Sequence, residues 1–250
     1  MVKKVIIAVA GQGTRMQELT KDKSKHLIEV NGKPFLFYVL DNLTKAGYDD
    51  FTLVVGFEAE LIKKFVDDYG FKVKIINQFE ILGPKEKIYG TACPLMCVEN
   101  TQESFLYISG DNFYSVEDLK QANIDDEFNY IFGAESMHPE DFGVLVPFDL
   151  AQGRPGGEFL KEIVEKPRLP MGNLINVSLY KFTPEIFKKI SQIEKSSRGE
   201  YEITDAVSLL AQEKKVKIKK MKGFWIDFGR PEDVKKLEDF LNGNNKEEQK

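Results

Sequence analysis

Apolar residues in the first third of the chain follow two spacings, one typical of buried strands and one of amphipathic helices. Residues 5–9, 51–55 and 73–76 are nearly continuous apolar runs rich in β-branched side chains, which predicts buried strands. Residues 34–46 and 58–69 place apolar side chains three and four positions apart, and a glycine follows each, as expected of helices that end there. This β-α-β-α-β order predicts a parallel sheet with right-handed crossovers, whose ligands bind at the carboxyl ends of the strands.

The rest of the chain adds strands and helices of the same kind. Further strands are predicted at 105–109, 129–135, 143–146, 159–166, 176–182 and 224–227. A helix is predicted to begin within 200–205, with Thr204 or Asp205 as its cap, and another begins at Pro231. We therefore expect an α/β fold with a mixed, mainly parallel central sheet flanked by helices. It forms one domain over residues 1–241, and the charged segment 242–250 is expected to be a disordered tail.

A glycine-rich turn follows the first strand and is the first candidate for binding chemistry. Gly11 and Gly13 permit positive φ and a close approach of the backbone, so that successive N–H groups can converge on phosphate oxygens. Thr14 can add a hydroxyl donor, and Arg15 supplies a planar, permanently charged fork. Lys25 can bring a second cation to the same anion. The turn therefore predicts a polyphosphate site.

Two familiar glycine motifs do not fit this turn. A dinucleotide-binding fingerprint needs glycine at the position of Met16, which disfavours a Rossmann dehydrogenase, and the Gly-Lys-Ser/Thr of a Walker A loop is absent.

Two aspartates follow apolar strands at widely separated places in the chain. Asp111 ends the run 105–110, and Asp227 ends a run that contains Trp225 and is followed by glycine. A carboxylate at the carboxyl edge of a sheet is a suitable ligand for a hard cation that bridges phosphates. Because the same arrangement occurs twice, a cation ligand, suited to Mg²⁺, is favoured over a helix cap or turn residue at each position.

Composition and charge narrow the class of protein. The chain has 250 residues, 42% of them hydrophobic, and a net charge of −5 with both signs interspersed, so it has no basic footprint for nucleic acid. No segment has the length of a membrane span, and the first apolar run is too short for a secretory signal, so a cytoplasmic location is expected. Cys93 and Cys97, the only cysteines, are expected to be buried free thiols.

The early motifs resemble those of a known enzyme family. Ala10-Gly11-Gln12-Gly13-Thr14-Arg15-Met16, then Ser24-Lys25 and Gly32-Lys33-Pro34, are similar to the signature of the sugar-phosphate nucleotidylyltransferases, also called nucleotide-sugar pyrophosphorylases. The resemblance implies a Rossmann-like, glycosyltransferase-A-like nucleotidyltransferase fold. Ser24 stands where the family usually has proline, which leaves Lys25 in place but loosens the loop that aims it.

The resemblance extends over about residues 4–240 and assigns roles to later motifs. Gly-Asp-Asn at 110–112 and Trp-x-Asp-x-Gly at 225–229 match the family's metal-binding positions, Asp111 and Asp227. The Gly90-Thr91-Ala92 segment resembles the one whose backbone reaches the nucleotide base, with Gln78 as the upstream glutamine. Ala10, Gly11, Gly13 and Thr14 would complete the nucleotide-binding residues.

A second group of motifs implies an acceptor site for a sugar phosphate. Phe142-Gly143-Val144 resembles a segment whose glycine contacts the sugar, and Glu165-Lys166-Pro167 matches the family's Glu-Lys-Pro. Glu165 can accept hydrogen bonds from sugar hydroxyls, while Lys166 can pair with the phosphate. Asn176 is a further hydroxyl ligand in a motif where Ser178 replaces the usual glycine, which would hold the backbone farther from the sugar.

The implied reaction transfers a nucleotidyl group from a nucleoside triphosphate to a sugar 1-phosphate and releases pyrophosphate, by in-line displacement with Mg²⁺. Arg15 would bind the leaving pyrophosphate, and Lys25 the α-phosphoryl group. The Glu-Ile-Thr-Asp block at 202–205 resembles that of glucose-1-phosphate uridylyl- and thymidylyltransferases, which favours UTP or dTTP and glucose 1-phosphate.

Several alternatives stay open at the level of sequence. They are a CTP-dependent cytidylyltransferase acting on a phosphorylated alcohol or sugar, and a non-catalytic nucleotide or sugar-phosphate sensor of the same fold. Neither the base nor the sugar is specified by the residues. The oligomeric state stays open, with a homo-oligomer as one alternative because family members often form dimers or tetramers. The chain is expected to lack the acyltransferase β-helix that some relatives carry.

Overall fold

A nine-stranded mixed sheet lies at the centre of the computed structural model, which describes residues 1–11, 13–20, 24–148 and 158–243. Four neighbouring strands are parallel and lie in the order β6-β1-β4-β5. Their bounds are β1 Lys4–Val9, β4 Asp50–Val55, β5 Val73–Asn77 and β6 Phe105–Ser109. The crossovers between the first three contain α1 (Phe35–Lys45) and α2 (Ala59–Tyr69), which confirms the predicted β-α-β-α-β unit.

The second half of the chain adds antiparallel strands on the other side of β6. The long strand β11 (Leu174–Phe182) pairs antiparallel with β6 and with β8 (Asn129–Glu135). Beside the first half of β11, β9 (Gly143–Pro147) pairs antiparallel with β10 (Leu160–Glu165). At the sheet edge, β12 (Val216–Lys220) runs parallel to β8. The sheet is therefore mixed, as expected.

The remaining elements flank the sheet. They are β2 (Glu29–Val30), β3 (Lys33–Pro34), α3 (Gln78–Leu82), α4 (Cys93–Met96), β7 (Asn112–Tyr114), α5 (Val116–Gln121), α6 (Glu185–Ile190), α7 (Ile203–Gln212), β13 (Trp225–Asp227) and α8 (Pro231–Leu241). A separate two-stranded sheet is formed by β7 and β13. Of the expected tail, 244–250 lie outside the described residues, and Asn242 is the C-cap of α8.

Apolar side chains cover both faces of the central sheet. Along β1, Val5, Ile7 and Val9 belong to one buried cluster and Ile6 to another, because successive side chains of a strand point to opposite faces. The first cluster includes α1 and α2, and the second includes α6 and α7. This arrangement leaves the carboxyl ends of the parallel strands as the place where polar groups meet. Among the described residues, no helix has both the length and the apolar composition needed to cross a bilayer.

The prediction of Thr204 or Asp205 as the N-cap of α7 is wrong. The helix begins at Ile203, and the N-cap position is Glu202, not Thr204 or Asp205. No side chain from within the helix caps it; instead the hydroxyl of Thr91, far away in sequence, accepts a hydrogen bond of 2.9 Å from the backbone N–H of Ile203. The expectation for the two cysteines is confirmed, since both are buried and free.

Candidate active site

Two glycines that follow β1, Gly11 and Gly13, lie against the side chain of Lys25. Gly13 has φ of 66°, and a Cβ atom built there would lie 2.7 Å from the Cβ of Lys25, so any other residue would collide with the lysine stem. A Cβ at Gly11 would lie 3.7 Å from the Cε atom of the same lysine. Both predicted glycines therefore border Lys25. Arg15 is exposed, and the side chain of Thr14 lies outside the described part of the structure.

Lys25 forms an ion pair with Asp111 at the end of β6. The two side chains are only 13% and 19% exposed, and Nζ contacts Oδ2. The other carboxylate oxygen accepts hydrogen bonds from the Ser109 hydroxyl and, at 3.0 Å, from the Asn112 side-chain amide. Burial alone would raise the pKa of Asp111, but Lys25, His26 and the Ser109 hydroxyl outweigh it and hold the pKa well below its ordinary value. Asp111 is therefore ionised at neutral pH.

Asp227 is brought beside Asp111 by the β7–β13 pairing. Asn112 is the register partner of Asp227, and the N–H of Phe228 donates to the backbone carbonyl of Asp111 at 2.8 Å. Within the described residues, no donor is bonded to the Asp227 carboxylate. Burial and the neighbouring charge of Asp111 raise its pKa from 3.8 to about 6, against the opposing effects of Lys25 and Arg15. The four charged residues singled out from the sequence thus share one electrostatic environment.

Three hydrogen-bonded side chains hold the aspartate pair in place, and the sequence motifs alone did not assign them a role. The indole N–H of Trp225 donates to Asn112 Oδ1 at 2.7 Å, while the amide of Asn112 donates to Asp111. Asp118, which is 1% exposed, accepts the backbone N–H groups of Lys222 and Gly223, immediately before β13. These contacts fix the position of the strand that carries the second aspartate.

The Gly90–Thr91 segment is clamped to the segment before α7. Gly90 has φ of 140°, and a Cβ there would lie 2.2 Å from the carbonyl oxygen of Tyr201. The N–H of Ala92 donates to that same carbonyl at 2.9 Å, and the Thr91 hydroxyl donates to Glu202 at 3.2 Å. The proposed base segment and the Glu-Ile-Thr-Asp block are therefore one structural unit, a relation that the sequence did not show.

Gln78 lies at the first position of α3, at the carboxyl end of β5. The residue is 2% exposed, and its side-chain Oε1 is a buried atom with no hydrogen-bond partner among the described residues. A buried, unpaired amide oxygen is costly, and it suits a ligand that supplies an N–H group. Helix α3 packs beside α4, which follows the Gly90–Thr91 segment. The structure therefore brings Gln78 to the neighbourhood predicted for it.

The residues predicted to bind the acceptor meet where β9, β10 and β11 adjoin. Gly143 is the register partner of Glu165, and a Cβ on the glycine would lie 2.9 Å from Glu165 Oε1. Lys166 has φ of 43° and is anchored by its N–H to the carbonyl of Phe142 at 2.9 Å. The amide of Asn176 donates to the Tyr180 hydroxyl at 2.7 Å. The four predicted acceptor residues are therefore neighbours. Glu165 and Lys166 are exposed, Asn176 is partly accessible and Gly143 is buried.

Ser178 departs from the family pattern and lies in a bulge of β11. Its φ of 57° is in the left-handed region, and the register of β11 with β8 shifts between Asn176 and Tyr180. The N–H of Ser178 donates to Asn176 Oδ1 at 3.0 Å, which supports the strained backbone. The chain therefore keeps the backbone conformation that a glycine would adopt.

Arg198 is a cation near the acceptor residues that motif reading did not single out. Its guanidinium donates to Glu202 at 2.7 Å. Desolvation by the surrounding protein raises the pKa of Glu165, and Arg198 and Lys166 oppose that shift by favouring the ionised carboxylate. Through Glu202, this cluster is joined to Thr91.

The acceptor residues also border the aspartate pair. The ring of Phe142, next to Gly143, contacts Trp225 at a centroid distance of 6.0 Å.

The fold and the site together define an α/β protein with two neighbouring carboxylates and nearby cations at the carboxyl edge of its sheet. The family model described as "Nucleotidyl transferase" matches residues 4–244. The chain belongs to the nucleotidyl transferase family.

Two curated relatives show how far the likeness extends. A bifunctional sugar-1-phosphate nucleotidylyltransferase/acetyltransferase of Sulfurisphaera tokodaii is 32% identical over 91% of this chain and 53% of that protein. The UTP–glucose-1-phosphate uridylyltransferase AglF of Haloferax volcanii is 32% identical over 94% of this chain and 95% of that protein. The chain therefore spans about half the length of the first relative and nearly all of the second.

Solved structures share the fold. A UDP-glucose pyrophosphorylase crystallised with UDP-glucose superimposes with a TM-score of 0.80 at 20% identity, over 98% of this chain and all of that chain. Since the identity is low, this similarity bears on the fold alone. It confirms the expected nucleotidyltransferase architecture.

Proposed function

We propose that this chain transfers a nucleotidyl group from a nucleoside triphosphate to a sugar 1-phosphate and releases pyrophosphate. UTP or dTTP is the favoured donor and glucose 1-phosphate the favoured acceptor. The convergence of Lys25, Asp111 and Asp227 on the glycine turn carries this proposal, because it unites residues from three distant segments. The similarity to AglF, a UTP–glucose-1-phosphate uridylyltransferase, supports the choice of substrates.

The chemistry needs positioned charges and no side-chain nucleophile. An oxygen of the acceptor phosphate attacks the α-phosphorus, a new P–O bond forms, and the bond to the β-phosphate breaks in line with it. Two polyanions must approach each other, and at 4 Å two unit charges interact by about 4 kcal/mol at an effective dielectric constant near 20. We assign Lys25 to the α-phosphoryl group, Arg15 to the leaving pyrophosphate and Lys166 to the acceptor phosphate.

The aspartate pair fits a hard divalent cation. Asp227 has no bonded donor among the described residues, and Asp111 repels its charge, so a cation held by these two residues would relieve an uncompensated repulsion. We propose that Asp111 and Asp227 hold Mg²⁺. When bound, the ion would neutralise phosphate charge and help to orient the reacting groups.

Binding of the two substrates falls to the flanking segments. We assign the base to Gln78 and the Gly90–Thr91 backbone, since the orphaned amide oxygen of Gln78 can accept a hydrogen bond from the N–H of a pyrimidine. Ala10, Gly11, Gly13 and Thr14 would contact the phosphates. Gly143, Glu165 and Asn176 would contact the sugar. The cytoplasmic location and the homo-oligomer stay predictions.

Pyrophosphate release provides the test. The protein is incubated with Mg²⁺, glucose 1-phosphate and each of UTP, dTTP, CTP, ATP and GTP, and then with other sugar phosphates and phosphocholine. We expect release with UTP or dTTP, and its loss in Lys25→Ala; the variant His138→Asn, which alters an exposed side chain, serves as the control. Release only with CTP and phosphocholine would favour the cytidylyltransferase. Nucleotide binding without release on any substrate would contradict the enzyme and favour a sensor.

A further inference from the structure

Lys25 lies between two side chains that are buried and hydrogen-bonded to each other. Ser24 is 0% exposed and His26 is 1% exposed. The Ser24 hydroxyl and the Nδ1 atom of His26 are 2.8 Å apart. Both flanking side chains point into the protein, while Lys25 runs along Gly13 toward Asp111. The hydrogen bond therefore links the residues on either side of Lys25.

The backbone at this point is a tight turn whose entry has the geometry of a proline. Ser24 has φ of −61° and ψ of 141°, and proline fixes φ near this value, at about −65°. Residues Lys25–Leu27 form one turn of 3-10 helix, in which the N–H of Leu27 donates to the carbonyl of Ser24 at 2.9 Å. The sequence led us to expect a loosened loop at Ser24. The structure shows a residue that adopts the proline conformation and adds a buried side-chain bond.

His26 contributes without adding a charge. Its burial, together with the nearby Lys25, lowers its pKa to about 3, so the imidazole is neutral at physiological pH. A neutral ring can form the bond to Ser24 without competing with Lys25 for Asp111. Among the described residues, the hydrogen bond between Ser24 and His26 is the contact that joins the side chains on either side of Lys25.

We propose that Ser24 and His26 are a positioning pair that aims Lys25 at the reacting phosphate, replacing the stiffness that proline gives to this loop in the family. The inference rests on the proposed function and on the role of Lys25 in it. A lysine side chain has many rotamers, and a misplacement of about 1 Å at a reacting centre can lower a rate by about 100-fold. A bond that fixes the start of the side chain would limit that loss.

The test compares single and double variants with purified, folded protein. We expect Ser24→Ala to lower kcat about tenfold with little change in KM for the nucleotide, since Lys25 acts on the transferred group. Ser24→Pro should recover most of that loss, because the ring restores φ. In a Lys25→Ala background, Ser24→Ala should cause no further loss of the residual rate. Ser208→Ala, which removes a hydroxyl bonded within α7, is the matched control and should leave kcat unchanged.

Three results would overturn the proposal. They are a kcat for Ser24→Ala within twofold of the parent, an equal loss from Ser24→Ala with and without Lys25, or no recovery by proline in a stable protein. Thermal unfolding of each variant shows whether a loss of rate reflects loss of fold.

A second measurement does not depend on turnover. Lysines are reductively methylated with ¹³C, and the Lys25 signal is assigned by its absence in Lys25→Ala. We expect Ser24→Ala to shift or broaden that signal and Ser208→Ala to leave it unchanged. If the parent protein releases no pyrophosphate, the proposed function fails, but the methyl signal still decides the positioning; an unchanged signal in Ser24→Ala would refute it.

Discussion

Replacing Asp227 by asparagine should stabilise the metal-free protein while abolishing turnover. The folded protein keeps this carboxylate partly buried beside Asp111 and without a bonded donor in the described residues, and its pKa is raised from 3.8 to about 6. One pKa unit is worth about 1.4 kcal/mol, so at neutral pH the ionised carboxylate costs the folded state about 3 kcal/mol. Asparagine removes the charge, although its amide also lacks a partner, so we expect a net gain of about 1–3 kcal/mol.

The gain should depend on pH in a defined direction. Because the pKa of Asp227 is higher in the folded than in the unfolded state, its contribution to stability is fully present below pH 3.8 and is lost as the pH rises through about 6. The variant lacks this loss. We therefore expect the two proteins to differ little near pH 4 and most above pH 7.

Asp111→Asn is the matched control with the opposite sign. The pKa of Asp111 is lowered by Lys25, so its contribution to stability is present above its unfolded value, near 3.8, and is lost only in acid. Removing that charge leaves the Lys25 ammonium without its partner in a site where it is 13% exposed. We expect a loss of about 2–4 kcal/mol at neutral pH, and turnover should also be lost.

Thermal and urea unfolding in EDTA between pH 4 and 8 provides the assay. For a chain of this length a change of 1 kcal/mol moves Tm by about 2–4 °C, so the expected gain of about 1–3 kcal/mol in Asp227→Asn should raise Tm by about 2–12 °C at pH 7.5. Added Mg²⁺ should then stabilise the parent protein more than the variant. A Tm for Asp227→Asn at or below that of the parent at pH 7.5, or a difference that does not change with pH, would refute the electrostatic argument.

Three further predictions concern stability and are measured by urea unfolding. Gly90→Ala should cost about 2–4 kcal/mol because its Cβ would collide with the backbone of Tyr201. The control Gly199→Ala, at φ of 77° with open space around it, should cost about 1 kcal/mol. Equal costs would contradict the role of the collision. Lys214→Gly should stabilise by about 1 kcal/mol, since this residue has φ of 55° just after α7; destabilisation would refute this. Lys181→Ala should cost about 3–5 kcal/mol, because its buried ammonium donates to two backbone carbonyls at 2.6 and 2.8 Å. The control Lys64→Ala, which removes an exposed lysine, should cost less than about 0.5 kcal/mol. Similar costs for the two variants would argue against the role of the buried contacts.

Local patterns were sufficient for the features that depend on near neighbours in sequence. The apolar run of β1 predicted the buried strand, and Gly13 adopts the positive φ that the glycine motif allows, because strand burial and positive φ are set by residue type. The Asp111 and Asp227 pair was predicted from two similar strand ends. Whether the two strands adjoin depends on the β7–β13 pairing, which no local pattern contains.

Contacts between distant segments could not be predicted in this way. Thr91 was assigned to the base, yet its hydroxyl caps α7 and binds Glu202, 111 residues away. Ser24 was expected to loosen its loop, since a motif shows the missing proline and not the buried partner His26. Both differences have the same cause: a hydroxyl has little preference of its own and takes its role from the polar group that the fold places beside it.

The net charge of the chain explains why cations placed within the site, such as Lys25, are needed to bind an anionic ligand. The chain as a whole is acidic, at −5, so its overall field repels a triphosphate and a sugar phosphate. Lys25 is held by Asp111 before any substrate binds, which keeps a buried ammonium stable in the free protein. A divalent cation at the carboxylates would compete for Asp111 and leave Lys25 available to phosphate. Binding of metal and of nucleotide should therefore be coupled through this one ion pair, and Lys25→Ala should weaken the dependence of nucleotide affinity on Mg²⁺, as measured by calorimetry.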